Sequence, residues 1–572
     1  MATRWYIVLG MTLWACHVNA LRAPSVAPPE AGVALNVTDL ATARELPGVR
    51  MDGAGQVMSA LPPGRYAIAA TTETSFAFFE KAVAPGERLV IPLSPDCHRV
   101  TGRINSALAL ALPATVSLWR YSSAAGDKFV VPIQSNGQFF ACLPNGAYST
   151  RVEGSMASLT QPVVVPNDAT VELTVYAASQ LEHGPEHVEV GDVDMASFAQ
   201  SLLDRRVIGL GEANHGTGDF YTYREKLSLE LARRGKLRGI LFEADAVGMM
   251  AIDDYVMGAD IDLAKAVVAL GFWITDVQEF LDFLKDVRSF NAAASSMADR
   301  IHVLGIDAQR VEPPVQYLLA HRAELAITDD EAALLSQIAP KHGAAFSKLS
   351  GDERATLSLL LGRLDRPAGK ADLDRVVTRA SIASRSIRYQ LGYLDRAVTI
   401  SLRDQAMAEL GAYIVEVGKL RQAVIWAHNG HIARQHDDGA KTLGQCLAET
   451  FGEQYYPVAF LSYRGAGRAW DQAGKIGVIP HELAPPPAYN VESVIMNATR
   501  FVDVAWVRLD KASDTLSRWL SLPRYVREFG SVYDPGDTQR LRGFPWAVAA
   551  VVVIRQARPS TPTPTGVRMV TP

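Results

Sequence analysis

From about residue 185 the sequence alternates short apolar runs with stretches of helical length, and this alternation constrains the fold more than any other feature. The runs are RRVIGLG from Arg205, LRGILFE from Leu237, IHVLGID from Ile301, AVIWAHN from Ala423, YPVAFLSY from Tyr456, VDVAWVRL from Val502 and WAVAAVVVI from Trp546. Near-continuous apolar runs separated by helical segments predict an α/β fold, a mostly parallel sheet flanked by helices. Residues 310–415 hold no convincing strand, and DDEAALLSQIA and RATLSLLLGRL make that section a helical cap subdomain. The α/β domain is expected over 185–558, followed by a Pro/Thr-rich tail, 559–572, whose composition predicts disorder.

The section before it repeats itself. GQVMSALPPGRYAIAATT begins at Gly55 and GQFFACLPNGAYSTRVEG at Gly137, each followed by a further strand-like run, ERLVIPL and ATVELTV. Short strands with Pro/Gly turns predict two small all-β sandwich modules, 36–95 and 96–178. They resemble carboxypeptidase-regulatory or transthyretin-like modules, and a spacer role is expected of them.

The N-terminus has the pattern of an export signal. Arg4 precedes an apolar run from Trp5 to Ala15, and Val18-Asn19-Ala20 offers cleavage after Ala20. Residues 1–20 then form a signal peptide and 21–35 a linker, placing the chain in a bacterial periplasm or envelope. Leu13-Trp14-Ala15-Cys16 is a poor lipobox that would anchor the chain by lipid at Cys16. An oxidising compartment permits a disulfide between Cys97 and Cys142, though sequence cannot show their distance. Cys446 reads as a small core residue. The formal charge of −5 and the lack of a basic stripe argue against a nucleic-acid partner. No internal run reaches the ~20 apolar residues needed to span a bilayer.

Chemistry gathers at the strand ends. The first strand runs into Glu212 and His215, the second into Glu243, the third into Asp307, and the fourth into His428 and His431. Ligands of open α/β sheets bind beyond the carboxyl ends of the strands, so neighbouring parallel strands would bring these six groups to one edge. Each alone also reads as a helix cap or a hydrogen-bonded core residue. In the helix beginning at Asp219, Phe220, Tyr223, Leu227 and Leu231 form a stripe, and Arg224 falls only ~40° from Phe220. A core-facing guanidinium requires an anion, for which Glu212, Glu243 and a substrate are candidates. The alternative is that Arg224 snorkels to water.

GEANHG with GDF, YREKL, GILFEA, DDYVMG, the pair Phe272-Trp273, LGID and WAHNGHIAR together resemble the erythromycin esterase family over roughly residues 190–555. The resemblance implies an α/β core with a helical cap and hydrolysis of the lactone ester of macrolides, as in family members of known activity. It implies catalytic roles for Glu212, His215, Arg224, Glu243, His428 and His431. Two positions depart from the family pattern. Asn214 stands where a small or hydroxyl residue is usual, and Asp219 where Glu is common.

No Gly-x-Ser-x-Gly elbow is present, which disfavours a serine nucleophile. The expected mechanism has His215 take a proton from water, with Glu212 or Glu243 orienting the ring. Arg224 would fix these carboxylates or stabilise an oxyanion, and His428 or His431 would stabilise the intermediate or protonate the leaving alcohol. The expected partner is a small ester or lactone, with no cofactor and no metal. Metal-dependent hydrolysis of the same bond and a non-catalytic ligand-binding envelope protein are the competing readings.

Overall fold

The computed structural model describes residues 34–564 except 42–43, 47–48, 53–54, 107–111, 114, 121–127, 153–155, 159–160, 166–169, 186–187, 189–193, 340–348, 366–372, 374, 396–399, 436–440, 472–476, 536–537 and 545–546. The expected signal peptide, the lipid anchor at Cys16 and most of the linker lie outside the described residues. The described residues form two compact units that part between His183 and Gly184.

The first unit contains both β modules. The second module is a sandwich of two four-stranded sheets closed over Val100, Val116, Phe129, Phe139 and Tyr148. The first module has one four-stranded sheet, built from Ala34–Asp39, Arg44–Glu45, Gly64–Thr71 and Phe76–Val83. Its second layer consists of loops joined by the isolated bridges Met51↔Val57 and Gln56↔Val90. The single sheet is nonetheless covered on both sides. Val37, Tyr66 and Ile68 face those loops, while Ala34 and Ala69 join the core of the second module. The sequence repeat recurs as geometry. The Tyr66 hydroxyl donates to the Pro62 carbonyl and the Tyr148 hydroxyl to that of Pro144, both at 2.8 Å. Cys97 and Cys142 form a disulfide within the second module, with Cα atoms 5.4 Å apart.

All seven predicted strands form in the second unit: β1 (Val207–Leu210), β2 (Leu237–Asp245), β3 (His302–Asp307), β4 (Gln422–Trp426), β5 (Tyr455–Asp471), β6 (Val504–Arg508) and β7 (Ala550–Ala557). Their order is β3-β2-β4-β1-β5-β7-β6. Every neighbouring pair is parallel except β6 with β7. The four strands that carry the candidate groups are therefore adjacent. Beneath their ends Trp426, Phe242 and Phe283 pack with ring centroids 4.7–5.7 Å apart. Such pairs add about 0.5–1.5 kcal/mol each beyond simple burial.

Among the described residues of 310–415 there is no strand. The helices there are Glu312–Ala320, Asp329–Ile338, Gly351–Leu364, Val376–Asp395 and the start of Ile400–Val417. The last of these is no part of a separate cap. Its buried stripe of Met407, Leu410 and Ile414 lies on the sheet, where Gly411 approaches Ile306 of β3 and Ile425 of β4.

The tail, expected to be disordered, is ordered in its first part. Residues 559–564 are ordered, bridging Thr217 through Pro559 and Val277 through Pro562. Ser560 donates its N–H to the Gly216 carbonyl at 2.8 Å, and Gln278 donates to the Thr561 carbonyl. Composition signals disorder only when a segment has no partner, and here neighbouring main chain supplies one. Residues 565–572 lie outside the described residues.

Candidate active site

Two sequence features shape the loop after β1. Gly211 permits close approach of the loop after β4, since an added Cβ would lie 1.9 Å from Asn429 Oδ1. Gly216 does the same for β5, since its Cβ would lie 1.8 Å from the Arg468 carbonyl oxygen. Between them Asn214 is buried, and its Oδ1 accepts from the Gly216 N–H at 3.1 Å and the Thr217 hydroxyl at 2.9 Å. This Asx turn braces the entry to the helix Gly218–Arg233, here α1. Asp219, in its first turn, accepts from the Arg558 N–H and guanidinium, both at 2.6 Å.

His215, Glu212 and Arg224 form a buried chain. His215 Nδ1 lies 2.7 Å from Glu212 Oε1, and Arg224 donates to Glu212 Oε2 at 2.6 Å. Arg224 is 2% exposed, with its guanidinium over the Trp426 ring at 4.7 Å and the Tyr221 ring at 5.2 Å. The partner of the core-facing arginine is thus Glu212, and the snorkelling alternative is excluded. Burial opposes ionisation of Glu212, but Arg224 and His215 outweigh it and hold the carboxyl below its ordinary value. An ionised carboxylate only accepts, so His215 Nδ1 carries the hydrogen. His215 Nε2 is buried and has no hydrogen-bond partner among the described residues.

A second, larger network lies at the ends of β2, β3 and β4. The β2–β3 register shifts between Phe242 and Asp245, a stretch that holds Glu243 and Ala244, and such bulges redirect side chains. Arg403 donates to Glu243 Oε1 at 2.7 Å and to Asp307 Oδ2 at 2.6 Å. His431 Nδ1 bonds Asp404 Oδ1 at 2.6 Å, and its Nε2 lies 3.3 Å from Glu243 Oε1. Burial opposes the charge on His431, yet Asp404 and Glu243 push its pKa up to about 10. Burial likewise opposes ionisation of Glu243, but His431 and Arg403 hold its carboxyl well below the usual range. Glu243, Asp307 and Asp404 thus gather around Arg403 and His431, and Arg403 Nη1 lies 3.2 Å from His431 Nε2.

His428 joins the two networks. Its backbone N–H donates to Glu243 Oε2 at 2.9 Å, and its ring lies 5.3 Å from that of His215, centroid to centroid. Nδ1 accepts from the Gly430 N–H at 3.2 Å, so Nε2 carries the hydrogen facing the Ala213 carbonyl at 3.3 Å. Burial, with His215 nearby, lowers its pKa to about 4. Both ring nitrogens thus face main chain.

The six predicted residues come together at one sheet edge, with Asp307. The sequence reading missed Arg403 and Asp404, which project from the helix Ile400–Val417, here α2. It also missed Glu528, which accepts from Asn429 Nδ2 at 2.8 Å and pairs with Arg542 at 2.6 Å behind His428. A charged Arg-Asp pair near the start of a helix whose later part carries the apolar stripe Met407, Leu410 and Ile414 was the available signal for the first two. Among the described residues no three His, Cys, Asp or Glu side chains are arranged to hold a metal ion. Burial pushes the Cys446 thiol up to about 11, against a nucleophilic role.

Comparison with known proteins agrees with this architecture. Residues 236–551 match the family model described as erythromycin esterase, a span that includes Glu243, Arg403, His428 and His431 and begins after Glu212, His215 and Arg224. YbfO of Bacillus subtilis (strain 168), whose hydrolase designation is itself provisional, is 19% identical over 382 residues, covering 59% of this chain and 82% of its own. A protein from Bacillus cereus superposes with TM-score 0.55 at 18% identity, covering 68% of this chain and 98% of its own. A succinoglycan biosynthesis protein does so with TM-score 0.55 at 15% identity over the same shares. At these identities the two structures show a shared fold.

Proposed function

Because the chain belongs to the erythromycin esterase family, we propose that it is an exported hydrolase cleaving a small ester or lactone by direct attack of water, with His215 as general base. The observation that carries this reading is the buried His215 ring, with Nδ1 on Glu212 and Nε2 without a partner among the described residues.

In the neutral ring, Nε2 presents its lone pair and takes a proton from water as the oxygen attacks the carbonyl carbon. The imidazolium that forms is stabilised by Glu212 at hydrogen-bond distance and by Glu243 through space. The tetrahedral intermediate then expels the alcohol oxygen, to which His215 returns the proton, leaving a carboxylic acid and an alcohol. Arg224 acts through Glu212, because its guanidinium is enclosed by Trp426 and Tyr221 and bonded to that carboxylate. His431 and Arg403 act through Glu243, keeping it ionised. His428 braces the loops, since its ring nitrogens are engaged with Gly430 and Ala213. The Cys97–Cys142 disulfide supports export, as such bonds persist in oxidising compartments.

The test is a hydrolysis screen over macrolides, simple esters and cell-envelope-derived esters, with His215→Ala as control and pre-steady-state kinetics on any substrate found. Turnover that needs His215 and shows no burst is expected. An acyl-enzyme detected by mass would overturn the direct-water mechanism.

A further inference from the structure

Six arginines of the described residues are almost fully buried: Arg224, Arg238, Arg379, Arg468, Arg524 and Arg527. Five have hydrogen-bond acceptors. Arg224 has Glu212, Arg238 has Asp299, Arg379 has Asp254, Arg524 has the Trp519 carbonyl and Arg527 the Ser462 carbonyl. Arg468 is the exception. It is 8% exposed, and its Nη1 is buried without a partner among the described residues. Its guanidinium lies over the Trp273 ring at 5.8 Å, in the Phe272-Trp273 pair for which the hydrolytic mechanism has no use.

Its position ties it to the catalytic loop. The Arg468 N–H donates to the carbonyl of Gly216, the residue after His215, at 2.9 Å. Two carboxylates, Glu279 and Asp276, act on it only through space, and burial outweighs them. Both are engaged elsewhere. Glu279 accepts the Thr561 N–H and hydroxyl at 3.0 Å, and Asp276 accepts the Thr563 hydroxyl. The ordered tail thus occupies the acids that could otherwise close on Arg468. A buried guanidinium with free donors is costly unless an anion completes it, and its planar fork matches a carboxylate.

We propose that Arg468, lying on Trp273, is a substrate-recognition group, and that the ester served by His215 carries an anionic oxygen group, in the simplest case a carboxylate, within an arginine's reach of the scissile bond. The proposal rests on the hydrolytic reading for its substrate, so the test lets the two fail separately. The probes are the monomethyl and dimethyl esters of succinate, glutarate and adipate, assayed by pH-stat, together with calorimetric titration of the free dicarboxylates. Charge-assisted hydrogen bonds are worth about 1.5–3 kcal/mol, so wild type should favour one monoester over its diester by about 10–100-fold in kcat/KM. Arg468→Met should abolish that ratio, and Arg468→Lys, which keeps the charge but not the fork, should retain part of it. The matching dicarboxylate should bind wild type and not Arg468→Met, whatever the turnover. Arg468→Met should melt no lower than wild type, since it removes a buried cation that lacks an acceptor. A wild type without preference or binding, a preference that survives Arg468→Met, or a fall in Tm of several degrees would overturn the proposal, the last by making Arg468 a structural counter-ion of Asp276 and Glu279. Hydrolysis of none of these esters, with dicarboxylate binding lost in Arg468→Met, would uphold the subsite and count against ester chemistry.

Discussion

His215 and His431 each place Nδ1 against a carboxylate, at 2.7 and 2.6 Å, yet they differ in what meets the other nitrogen. Nε2 of His215 has no partner among the described residues, while Nε2 of His431 faces Glu243 and Arg403. The surrounding charge differs too. Glu212 is balanced by Arg224, whereas Glu243, Asp307 and Asp404 gather around both Arg403 and His431. The contrast teaches that a carboxylate on a histidine does not by itself mark a catalyst. One such pair can leave a proton acceptor available, and the other can serve as structural charge.

The comparison breaks first at His215. His215→Ala should lower kcat by about 10²–10⁴-fold on the true substrate, read by steady-state kinetics. Activity within a few-fold of wild type would remove His215 from the chemistry. Next comes Arg403→Met, which strips the guanidinium from Glu243 and Asp307 and should destabilise the protein by about 3–5 kcal/mol, read by urea unfolding. An effect below ~1 kcal/mol would mean that these charges are solvated.

The pH dependence of stability sharpens the contrast further. The folded value of His431, about 10, lies above the ~6.5 of an unfolded imidazole. Its contribution is therefore whole below ~6.5 and lost as pH rises through about 10. His428 runs the other way. Its folded value of about 4 means the unfolded chain binds the proton first, so stability falls as pH drops from ~6.5 toward 4. Urea midpoints across pH should show the alkaline loss flattened in His431→Gln and the acid loss reduced in His428→Gln. The smallest effect belongs to Asn214. Asn214→Ser keeps an oxygen acceptor for the turn and should cost about 1 kcal/mol or less, with no change in substrate preference. A changed preference would return Asn214 to substrate recognition.

Much of this was legible in the sequence because burial leaves a one-dimensional trace. Seven apolar runs became seven strands, and the polar groups at four of their ends met because those strands are neighbours. Strand order was not legible, since it depends on pairing among segments far apart in the chain. The same burial argument that singled out Arg224 on its helix applies to Arg403 and Asp404, but they sit in a section read as a cap, away from any strand end. Glu528 directly follows the four-residue strand Arg524–Arg527 and Arg542 ends the four-residue strand Gln539–Arg542, both too short and too polar to stand out as apolar runs. The tail misled for a related reason. Proline and threonine signal a lack of core, and residues 559–564 are held by hydrogen bonds along their main chain and hydroxyls.

The place of β7 bears on when the molecule can begin to work. It follows the other six strands in the chain yet lies between β5 and β6 in the sheet, and the residues just after it clasp Gly216 and Asp219. A nascent chain lacking residues 550–561 has an open seam in its sheet and an unsecured loop beside His215. Assembly of the corner around His215 therefore waits on the last of the seven strands and the residues that follow it, so a chain cut short of them is expected to lack a formed site even where the first six strands are present.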